Sequence, residues 1–409
     1  MSRLSPFVST ASVALLLSAC TGGDPNQRFT DVFTADATLT LDVQGQPDLV
    51  APSICPETPR FEKIASGWID VTVNDISMGS FPADMRSITV SGNELFYAAM
   101  TLGGGEIRKV GIDGTGDQTV HAEPGVTFLE HLAVHDGSLY FYATLGEQGT
   151  SFRSVPLTGG SSEAVFEQVS VTTDQAPQHF APDGSHLVLG YGDGTNGSPF
   201  QNRLLRRSAQ NGIEAIFARN TSSPFSSPHA SLGGIVYVAA AKADGLEERM
   251  LLAIPMDAAP VDTATPPPEG DRIFSTEVCT SLATSGTNNL FCLGPIGTGD
   301  DQPTELRHYA TDAARPVTGR SLFDGNHAAA EGGKLTSLLA ASDGAAFVVT
   351  ASPNGFSSVI YKVDLQGTVT VLACKSEPVL DLVYSGDTLY FAVQSSVQDA
   401  HGIYRLKQP

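Results

Sequence analysis

The amino-acid sequence predicts an all-β fold built from repeated four-stranded units. Three observations support this prediction: a turn-and-strand pattern recurs seven times, each interval between copies can hold four short strands, and no long amphipathic helix competes with the pattern. The composition agrees, because 41 Gly and 25 Pro supply many turns and a hydrophobic fraction of 41% can build a core. The repeat therefore replaces the two or three domains that 409 residues would otherwise suggest.

Each copy of the pattern is a Gly-containing turn followed by apolar, aromatic and β-branched residues. Gly tolerates the positive φ of a tight turn, so Asp-Gly or Ser-Gly between apolar runs is typical of a β-hairpin. A short hydrophobic strand precedes each turn, a third strand with a basic residue follows, and a fourth strand ends most units. The apolar marker positions after the seven turns are Leu95, Leu139, Leu187, Ile235, Leu290, Ala346 and Leu389.

Closure of these units into a ring is the next prediction. Four antiparallel strands cannot bury both faces of their sheet alone, so the units are expected to pack around one axis as a single β-propeller. Seven copies favour seven four-stranded blades, with six or eight blades as the alternatives. After Leu406 only three residues remain, so the last unit lacks a fourth strand of its own. The stretch from Arg60 to Ser66 is predicted to supply that strand and close the ring.

The first twenty residues have the pattern of an export signal. Arg3 precedes an apolar or small run from Phe7 to Leu17 that is too short to span a bilayer. The Leu-Ser-Ala-Cys ending resembles the signal of bacterial lipoproteins, which implies cleavage before Cys20 and acylation of that cysteine. Because no Asp follows the cysteine, the same resemblance implies sorting to the outer membrane. An ordinary secretory signal, with Cys20 discarded, is the alternative.

These features divide the chain into three parts. Residues 1–19 are the predicted lipoprotein signal peptide, residues 20–58 a lipidated tether and N-terminal arm, and residues 59–409 the propeller. We expect a monomeric outer-membrane lipoprotein, facing the periplasm or the cell surface and held by lipid alone. The 44 acidic and 23 basic residues give a net charge of −21, which argues against nucleic acid as a partner because phosphate binding needs a basic face.

The cysteines are predicted to form disulfides. If Cys20 is lipidated, four remain, and an even number in an oxidising compartment indicates two bonds with three pairings to choose from. Cys279 and Cys292 fall on the first and second predicted strands of the fifth unit, nearly equidistant from the turn, so they are expected to pair. Cys374 ends the sixth unit and Cys55 precedes the closing strand beside it, so their bond would tie the N-terminal segment to the ring. Free buried thiols are the alternative.

One set of polar residues recurs at the start of the innermost predicted strand in five units. Each member lies five or six residues before the turn glycine of its unit, and the innermost strand of a propeller lines the central channel. These side chains are therefore expected to point toward one channel mouth, where three histidines and an acid could bind a metal ion, an anionic ligand or a proton. A divalent cation is the metal considered, and bonding to backbone groups or channel water is the alternative. The residues are Arg86, His131, His179, His229 and Asp381.

Two further sequence patterns bear on the family. Residues 180–187 (Phe-Ala-Pro-Asp-Gly-Ser-His-Leu) are similar to the Phe-Ser-Pro-Asp-Gly repeat of TolB-like propellers. The other copies resemble the Asp-Gly-x-Leu-Tyr-Phe units of uncharacterised bacterial propeller lipoproteins. The resemblance covers about residues 60–409 and implies the fold rather than a function. The single tryptophan, Trp68, and the absence of a Trp-Asp pair separate the chain from WD-repeat and tryptophan-docked quinoprotein propellers.

Together these patterns predict a lipid-anchored, non-enzymatic scaffold that binds an envelope protein, peptide or glycan partner. A protein that binds a small molecule or a metal at the channel mouth is the first alternative. A lyase or hydrolase is the second, because some seven-bladed propellers, such as streptogramin lyases, use a histidine at the channel mouth. The Gly-x-Ser-x-Gly, His-Glu-x-x-His and phosphate-loop motifs are missing, so the sequence assigns no catalytic residue.

Overall fold

The structure is a computed structural model, and every structural statement below concerns the residues that it describes. They are residues 55, 61–73, 76–101, 104–144, 150–167, 179–183, 186–193, 200–208, 212–221, 229–241, 249–261, 272–296, 304–324 and 333–407. The chain divides into two units, Met1–Ala51 and Pro52–Pro409, and all described residues belong to the second. The lipoprotein signal and the start of the tether therefore lie outside the described residues. No described helix is long and apolar enough to span a bilayer.

The described residues form thirty strands, arranged in seven four-stranded antiparallel sheets and one two-stranded sheet. The described strands begin with β1 (Phe61–Ala65), followed by a hairpin of β2 (Trp68–Val73) and β3 (Ile76–Pro82). Sheet 1 contains β4 (Ile88–Ser91), β5 (Glu94–Thr101), β6 (Gly104–Gly111) and β7 (Gln118–Pro124). Sheet 2 contains β8 (Phe128–His135), β9 (Ser138–Thr144), β10 (Thr150–Pro156) and β11 (Glu163–Glu167).

The next three sheets follow the same order. Sheet 3 contains β12 (His179–Asp183), β13 (His186–Asp193), β14 (Phe200–Ser208) and β15 (Gly212–Thr221). Sheet 4 contains β16 (His229–Leu232), β17 (Ile235–Ala241), β18 (Arg249–Pro255) and β19 (Ile273–Ser275). Sheet 5 contains β20 (Ser281–Ser285), β21 (Asn289–Pro295), β22 (Thr304–Ala310) and β23 (Arg320–Asp324).

The last two sheets bring the chain back to its beginning. Sheet 6 contains β24 (Lys334–Ser342), β25 (Ala345–Ala351), β26 (Ser358–Asp364) and β27 (Val369–Lys375). Sheet 7 contains β28 (Val379–Ser385), β29 (Thr388–Val393) and β30 (Gly402–Lys407), and its fourth strand is β1.

The sheets form a closed ring. The first strand of each sheet contacts the first strand of the next, and β28 of sheet 7 contacts β4 of sheet 1. β1 pairs antiparallel with β30, from Phe61 opposite Leu406 to Ala65 opposite Ile403. The prediction of a single all-β propeller is therefore confirmed, and the stretch before the first unit does supply the closing strand.

The hydrophobic core lies between neighbouring sheets. The described residues form seven clusters of buried apolar side chains, and each cluster joins two sheets that are adjacent in the ring. The second strands contribute large fully buried side chains such as Phe96, Phe141 and Phe347. Burial of one such aromatic side chain contributes about 1.5–3 kcal/mol to folding. The interfaces between sheets therefore stabilise the closed propeller.

Both predicted disulfides are present. Cys55 bonds to Cys374 on β27 with a Cα–Cα distance of 5.8 Å, and Cys279 bonds to Cys292 on β21 with a Cα–Cα distance of 5.5 Å. One detail of the prediction is wrong, because Cys279 lies two residues before β20 rather than on it. The Cys279–Cys292 disulfide therefore holds the residues that lead into the first strand of sheet 5.

Candidate functional site

One side of the ring carries the start of every first strand, and we call it the mouth face. Because the strands of each sheet are antiparallel, this side also carries the connections from second to third strands and from one sheet to the next. The opposite side carries the tight turns between first and second strands. Gly92 and Gly137 occupy two of these turns with φ of 58° and 73°, as the sequence pattern required. Residues from every sheet therefore meet at the mouth face, where a ligand can contact several sheets at once.

The structure places all five predicted site residues at or near the mouth-face ends of first strands. Arg86 lies two residues before β4, and His131 is the fourth residue of β8. His179 and His229 are the first residues of β12 and β16, where they pair with Gly190 and Val238 in the neighbouring strands. Asp381 is the third residue of β28.

Among the described residues, three first strands of the ring contain β-bulges near the mouth face, and two of them, β8 and β28, carry predicted site residues. The register shifts between Glu130 and Ala133 in β8, between Val379 and Asp381 in β28, and within the first half of β24. His131, inside the first bulge, has a φ of 57°. The left-handed region is uncommon for any residue other than Gly, and bulges that redirect side chains are frequent beside functional sites. The backbone at His131 is therefore held in a strained conformation at the mouth face.

Hydrogen bonds near the mouth face join the first strands of sheets 7, 1 and 2. The backbone N–H of Ile88 donates to Asp381 Oδ2 at 2.8 Å, and the backbone N–H of Leu382 donates to Asp381 Oδ1 at 2.8 Å. The backbone N–H of Leu132 donates to Ser87 Oγ at 2.7 Å. The segments that carry Asp381, Arg86 and His131 are therefore linked directly across two sheet boundaries.

Each carboxylate oxygen of Asp381 accepts one of these backbone hydrogen bonds. Burial raises its pKa to about 7, although the two backbone N–H groups favour the charged form and oppose that shift. At Asp381 the geometry matches the alternative given above, in which a polar side chain at the strand start bonds backbone groups. Asp381 therefore positions strands, and it is not available as a direct ligand.

Arg86 and His131 present their side chains differently. Arg86 is exposed, and its Nε donates to Asp84 Oδ2 at 2.7 Å. An exposed ion pair of this kind contributes little stability, so a carboxylate from a ligand can replace Asp84. The half-buried ring of His131 packs edge-on against the ring of Tyr142, with 5.7 Å between centroids. These two residues are the described members of the set with side chains suited to ligand contact.

Sequence reasoning missed two residues of this site. Ser87 links sheets 1 and 2, and it lies five residues before Gly92, as Asp381 lies five residues before Gly386. That shared spacing could have identified Ser87 from the sequence. Asp84 is the second missed residue, and its pairing with Arg86 could not be predicted because it depends on the conformation of the connection that precedes β4.

The predicted metal site has no test in this structure. Among the described residues, no group of three or more His, Cys, Asp or Glu side chains is arranged to hold a metal ion. The side chains of His179 and His229 are outside the described set. Binding of a divalent cation therefore stays a prediction.

Comparison with known proteins identifies the fold. No family model matches the sequence, and no curated protein matches it. The β-propeller domain of the trilobed protease from Pyrococcus furiosus is similar in structure, with 10% identity and a TM-score of 0.51 over 79% of this chain and 95% of that one. The Pyrococcus horikoshii acylaminoacyl peptidase is also similar, with 9% identity and a TM-score of 0.50 over 80% of this chain and 52% of that one. This chain spans about half the length of that peptidase.

These comparisons define a class and correct one prediction. The class is the all-β propeller, and the similar propellers are parts of peptidases. The prediction of a non-enzymatic scaffold is therefore overturned as the main interpretation of this chain. The trilobed protease domain has an open velcro topology, whereas β1 and β30 are paired here.

Proposed function

We propose that this protein acts in peptide hydrolysis and binds its peptide substrate at the mouth face. The carrying observation is the linked set of first strands in sheets 7, 1 and 2. Exposed Arg86 precedes Ser87, and strained His131 precedes Leu132, whose backbone N–H donates to Ser87 Oγ. The similar propellers of peptidases support a peptide as the ligand class. Arg86 would bind the carboxylate of the peptide in place of Asp84. His131 would take a proton from a water molecule that attacks the scissile carbonyl, and it would give that proton to the leaving amine as the C–N bond breaks.

Steady-state hydrolysis of a fluorogenic peptide library by the purified protein tests this function. Loss of a charged hydrogen bond costs about 1.5–3 kcal/mol, so Arg86→Ala should raise KM about 10- to 100-fold with little change in kcat. His131→Ala should lower kcat by about 10²- to 10⁴-fold, the usual contribution of a general acid or base. Arg315→Ala and His135→Ala, which alter residues away from the mouth face, are the matched controls. Absence of both peptide binding and peptide hydrolysis in the unaltered protein would exclude the function.

The cellular setting is a second part of the proposal. We propose an exported monomer that is acylated at Cys20 and anchored in the bacterial outer membrane, related to TolB-like propeller lipoproteins. Two disulfides support export, because such bonds persist in oxidising compartments. An envelope protein or glycan is the proposed partner outside the substrate site. We also propose seven blades, one for each four-stranded sheet, and the seven core clusters support that number.

A further inference from the structure

The connection between β29 and β30 is a mouth-face loop folded around one buried histidine. We call residues 394–401 the sheet 7 loop. Residues 396–399 of this loop are exposed, whereas His401 is fully buried. The backbone N–H of Ser395 donates to His401 Nδ1 at 3.0 Å, and the backbone N–H of His401 donates to the carbonyl of Val397 at 2.9 Å. The imidazole is therefore the buried group that holds an otherwise exposed loop.

The hydrogen bond from Ser395 selects the neutral form of His401. A ring nitrogen that accepts a hydrogen bond carries no proton, so Nδ1 is unprotonated and the proton of the neutral ring is on Nε2. A charged imidazolium has an N–H group at both nitrogens, and its Nδ1–H would face the N–H of Ser395. Protonation of His401 must therefore break the bond with Ser395.

His401 also packs against the base of the β2–β3 hairpin. The backbone N–H of Ala83 donates to the carbonyl of Gly67 at 2.9 Å and closes that base. Gly67 has a φ of 66°, and a Cβ on this residue would lie 2.8 Å from His401 Nε2 and 2.6 Å from Met85 Sδ. Only Gly fits at this position, because the backbone passes between two buried side chains. Release of His401 would therefore remove one of the side chains that hold the base of the hairpin.

The charged groups that face His401 come from three elements. Lys63 on β1 disfavours a charged ring, whereas Asp84, in the connection between β3 and β4, favours it. Asp84 pairs with Arg86 at 2.7 Å, and Asp399 in the sheet 7 loop lies beside Lys63, so each acid is near a cation. Burial is the largest effect and lowers the pKa of His401, although backbone carbonyls at the base of the hairpin oppose it. The ring is therefore neutral at pH 7 and takes up a proton only on acidification.

Other contacts hold sheet 7 together without His401. β1 and β30 are paired along their backbones, Arg405 pairs with Glu62 at 2.7 Å, and the ring of Phe61 packs edge-on against that of Tyr404. A segment with little buried surface opens at a lower free-energy cost than a core strand. Loss of the His401 contacts is therefore expected to open the sheet 7 loop and the base of the hairpin while the sheet stays paired.

We propose that His401 is a pH-sensitive latch of the mouth face. The neutral ring holds the sheet 7 loop against the base of the β2–β3 hairpin, and protonation of the ring on acidification releases both. Asp84 and Arg86 directly follow this hairpin, so acidification should also displace the exposed cation of the candidate site. The latch requires no ligand, so it does not depend on the proposed peptide-hydrolase function.

Fluorescence of Trp68 tests the latch, because it is the single tryptophan of the chain and directly follows Gly67. Acidification of the full chain from about pH 8 to about pH 4 should shift the emission of Trp68 to longer wavelength while far-UV circular dichroism stays unchanged. His401→Gln keeps a neutral hydrogen-bond acceptor and should remove this transition. His135→Gln, at the tight turn on the opposite side of the ring, is the matched control and should keep it.

Two charge variants test the same titration without altering His401. Lys63→Gln removes a cation that disfavours the charged ring, and it also removes the donor to the carbonyl of Gln398, so the midpoint of the transition should rise by on the order of half a pH unit. Asp84→Asn removes the acid that favours the charged ring, so the midpoint should fall. Opposite shifts are expected because the two residues act on the charge of the ring with opposite sign.

Hydrogen exchange locates the opening. At pH 5 the unaltered protein should exchange faster than His401→Gln in the sheet 7 loop and at residues 66–68, with equal protection of β30. A transition that persists in His401→Gln, or charge variants whose midpoints do not move in opposite directions, would overturn the latch. The latch is also overturned if the emission of Trp68 does not change, or if it changes only together with loss of the circular dichroism signal.

Discussion

Two titratable residues, half-buried Asp381 and fully buried His401, show how the ring uses polar side chains. Asp381 accepts backbone N–H groups from Ile88 and Leu382, and His401 Nδ1 accepts the backbone N–H of Ser395 at 3.0 Å. Burial disfavours the charged form of both, so it raises the pKa of Asp381 to about 7 and lowers the pKa of His401. The two residues therefore make stability depend on pH in opposite directions.

Replacement of Asp381 by Asn should alter stability between about pH 4 and pH 7. The folded-state pKa of about 7 lies above the value near 4 in an unfolded chain, so stability from this carboxyl is lost as pH rises through that window. Asn cannot ionise, so the free energy of unfolding of Asp381→Asn relative to the unaltered protein should increase from pH 4 to pH 7, by up to about 4 kcal/mol. Urea unfolding at several pH values measures this, with exposed Asp257→Asn as the control. A difference that does not vary with pH would contradict the expectation.

Replacement of His401 by Gln should alter stability on the acidic side of about pH 6.5. His401 is fully buried and its pKa is lowered, so the unfolded chain takes up a proton that the folded protein excludes. Stability from this residue is present above pH 6.5 and is lost as pH falls toward the folded-state pKa. The unaltered protein should therefore lose more stability than His401→Gln between pH 7.5 and pH 5. Thermal unfolding at both pH values measures these losses, with His135→Gln as the control. Equal losses of stability in the unaltered protein and His401→Gln would show that the expectation is wrong.

At the scale of elements, the third strands connect neighbouring sheets. The basic residue that recurs on these strands in the sequence repeat has a structural role in several of them. Arg405 on β30 pairs with Glu62 on β1 at 2.7 Å and donates to the carbonyl of Ile112 in sheet 1. Arg206 on β14 donates to the carbonyl of Ala258, which follows β18 in sheet 4, at 3.2 Å. The two contacts with backbone carbonyls cross the boundaries between sheets, so they join neighbouring sheets in addition to the apolar core.

The two disulfides should differ in their contribution to stability. Cys55 and Cys374 are 319 residues apart, whereas Cys279 and Cys292 are 13 apart. In the chain-entropy model the long loop corresponds to about 6 kcal/mol and the short loop to about 3 kcal/mol. We therefore expect the paired change Cys55→Ser and Cys374→Ser to lower the free energy of unfolding more than Cys279→Ser with Cys292→Ser. Guanidinium unfolding compares the two variants directly, and an equal or reversed order would refute the expectation.

At the scale of the whole molecule, the sequence predicts separate roles for the acidic propeller and its N-terminal arm. The propeller carries the candidate site, whereas the arm carries the predicted lipid attachment at Cys20. The excess of acidic residues keeps such a body away from anionic membrane surfaces and attracts cationic ligands. Anchoring and binding can therefore be tested independently.

Replacement of Cys20 by Ala should release the protein from the membrane. Loss of the thiol removes the site of acylation, and one signal of this kind is the predicted anchor. Mass spectrometry should show the added mass of lipid on the unaltered protein but not on Cys20→Ala. After cell fractionation, the variant should be found in the soluble fraction. The Cys279→Ser and Cys292→Ser variant should keep both lipid and membrane association. Retention of Cys20→Ala in the membrane would contradict lipid anchoring.

Local patterns in the sequence predicted the ring and its two disulfides. Turn glycines and period-two strands depend on neighbouring residues, and the missing fourth strand of the last unit pointed to β1. Bonding to backbone groups was the alternative for Asp381, but its partner was not predicted, because the backbone N–H of Ile88 is nearly three hundred residues away in the sequence. The exposure of Met78 and Phe356 was not predicted either, since it depends on how the sheets are arranged around the axis.

The pairing of β1 with β30 has a consequence for folding during synthesis. The strand at residues 61–65 is made first among the described strands, and its partner at residues 402–407 is made last. Sheets 1 to 6 can assemble while the chain is still growing, but sheet 7 must wait until β30 has been made. A chain that stops before β30 is therefore left with open sheet edges, which are templates for aggregation.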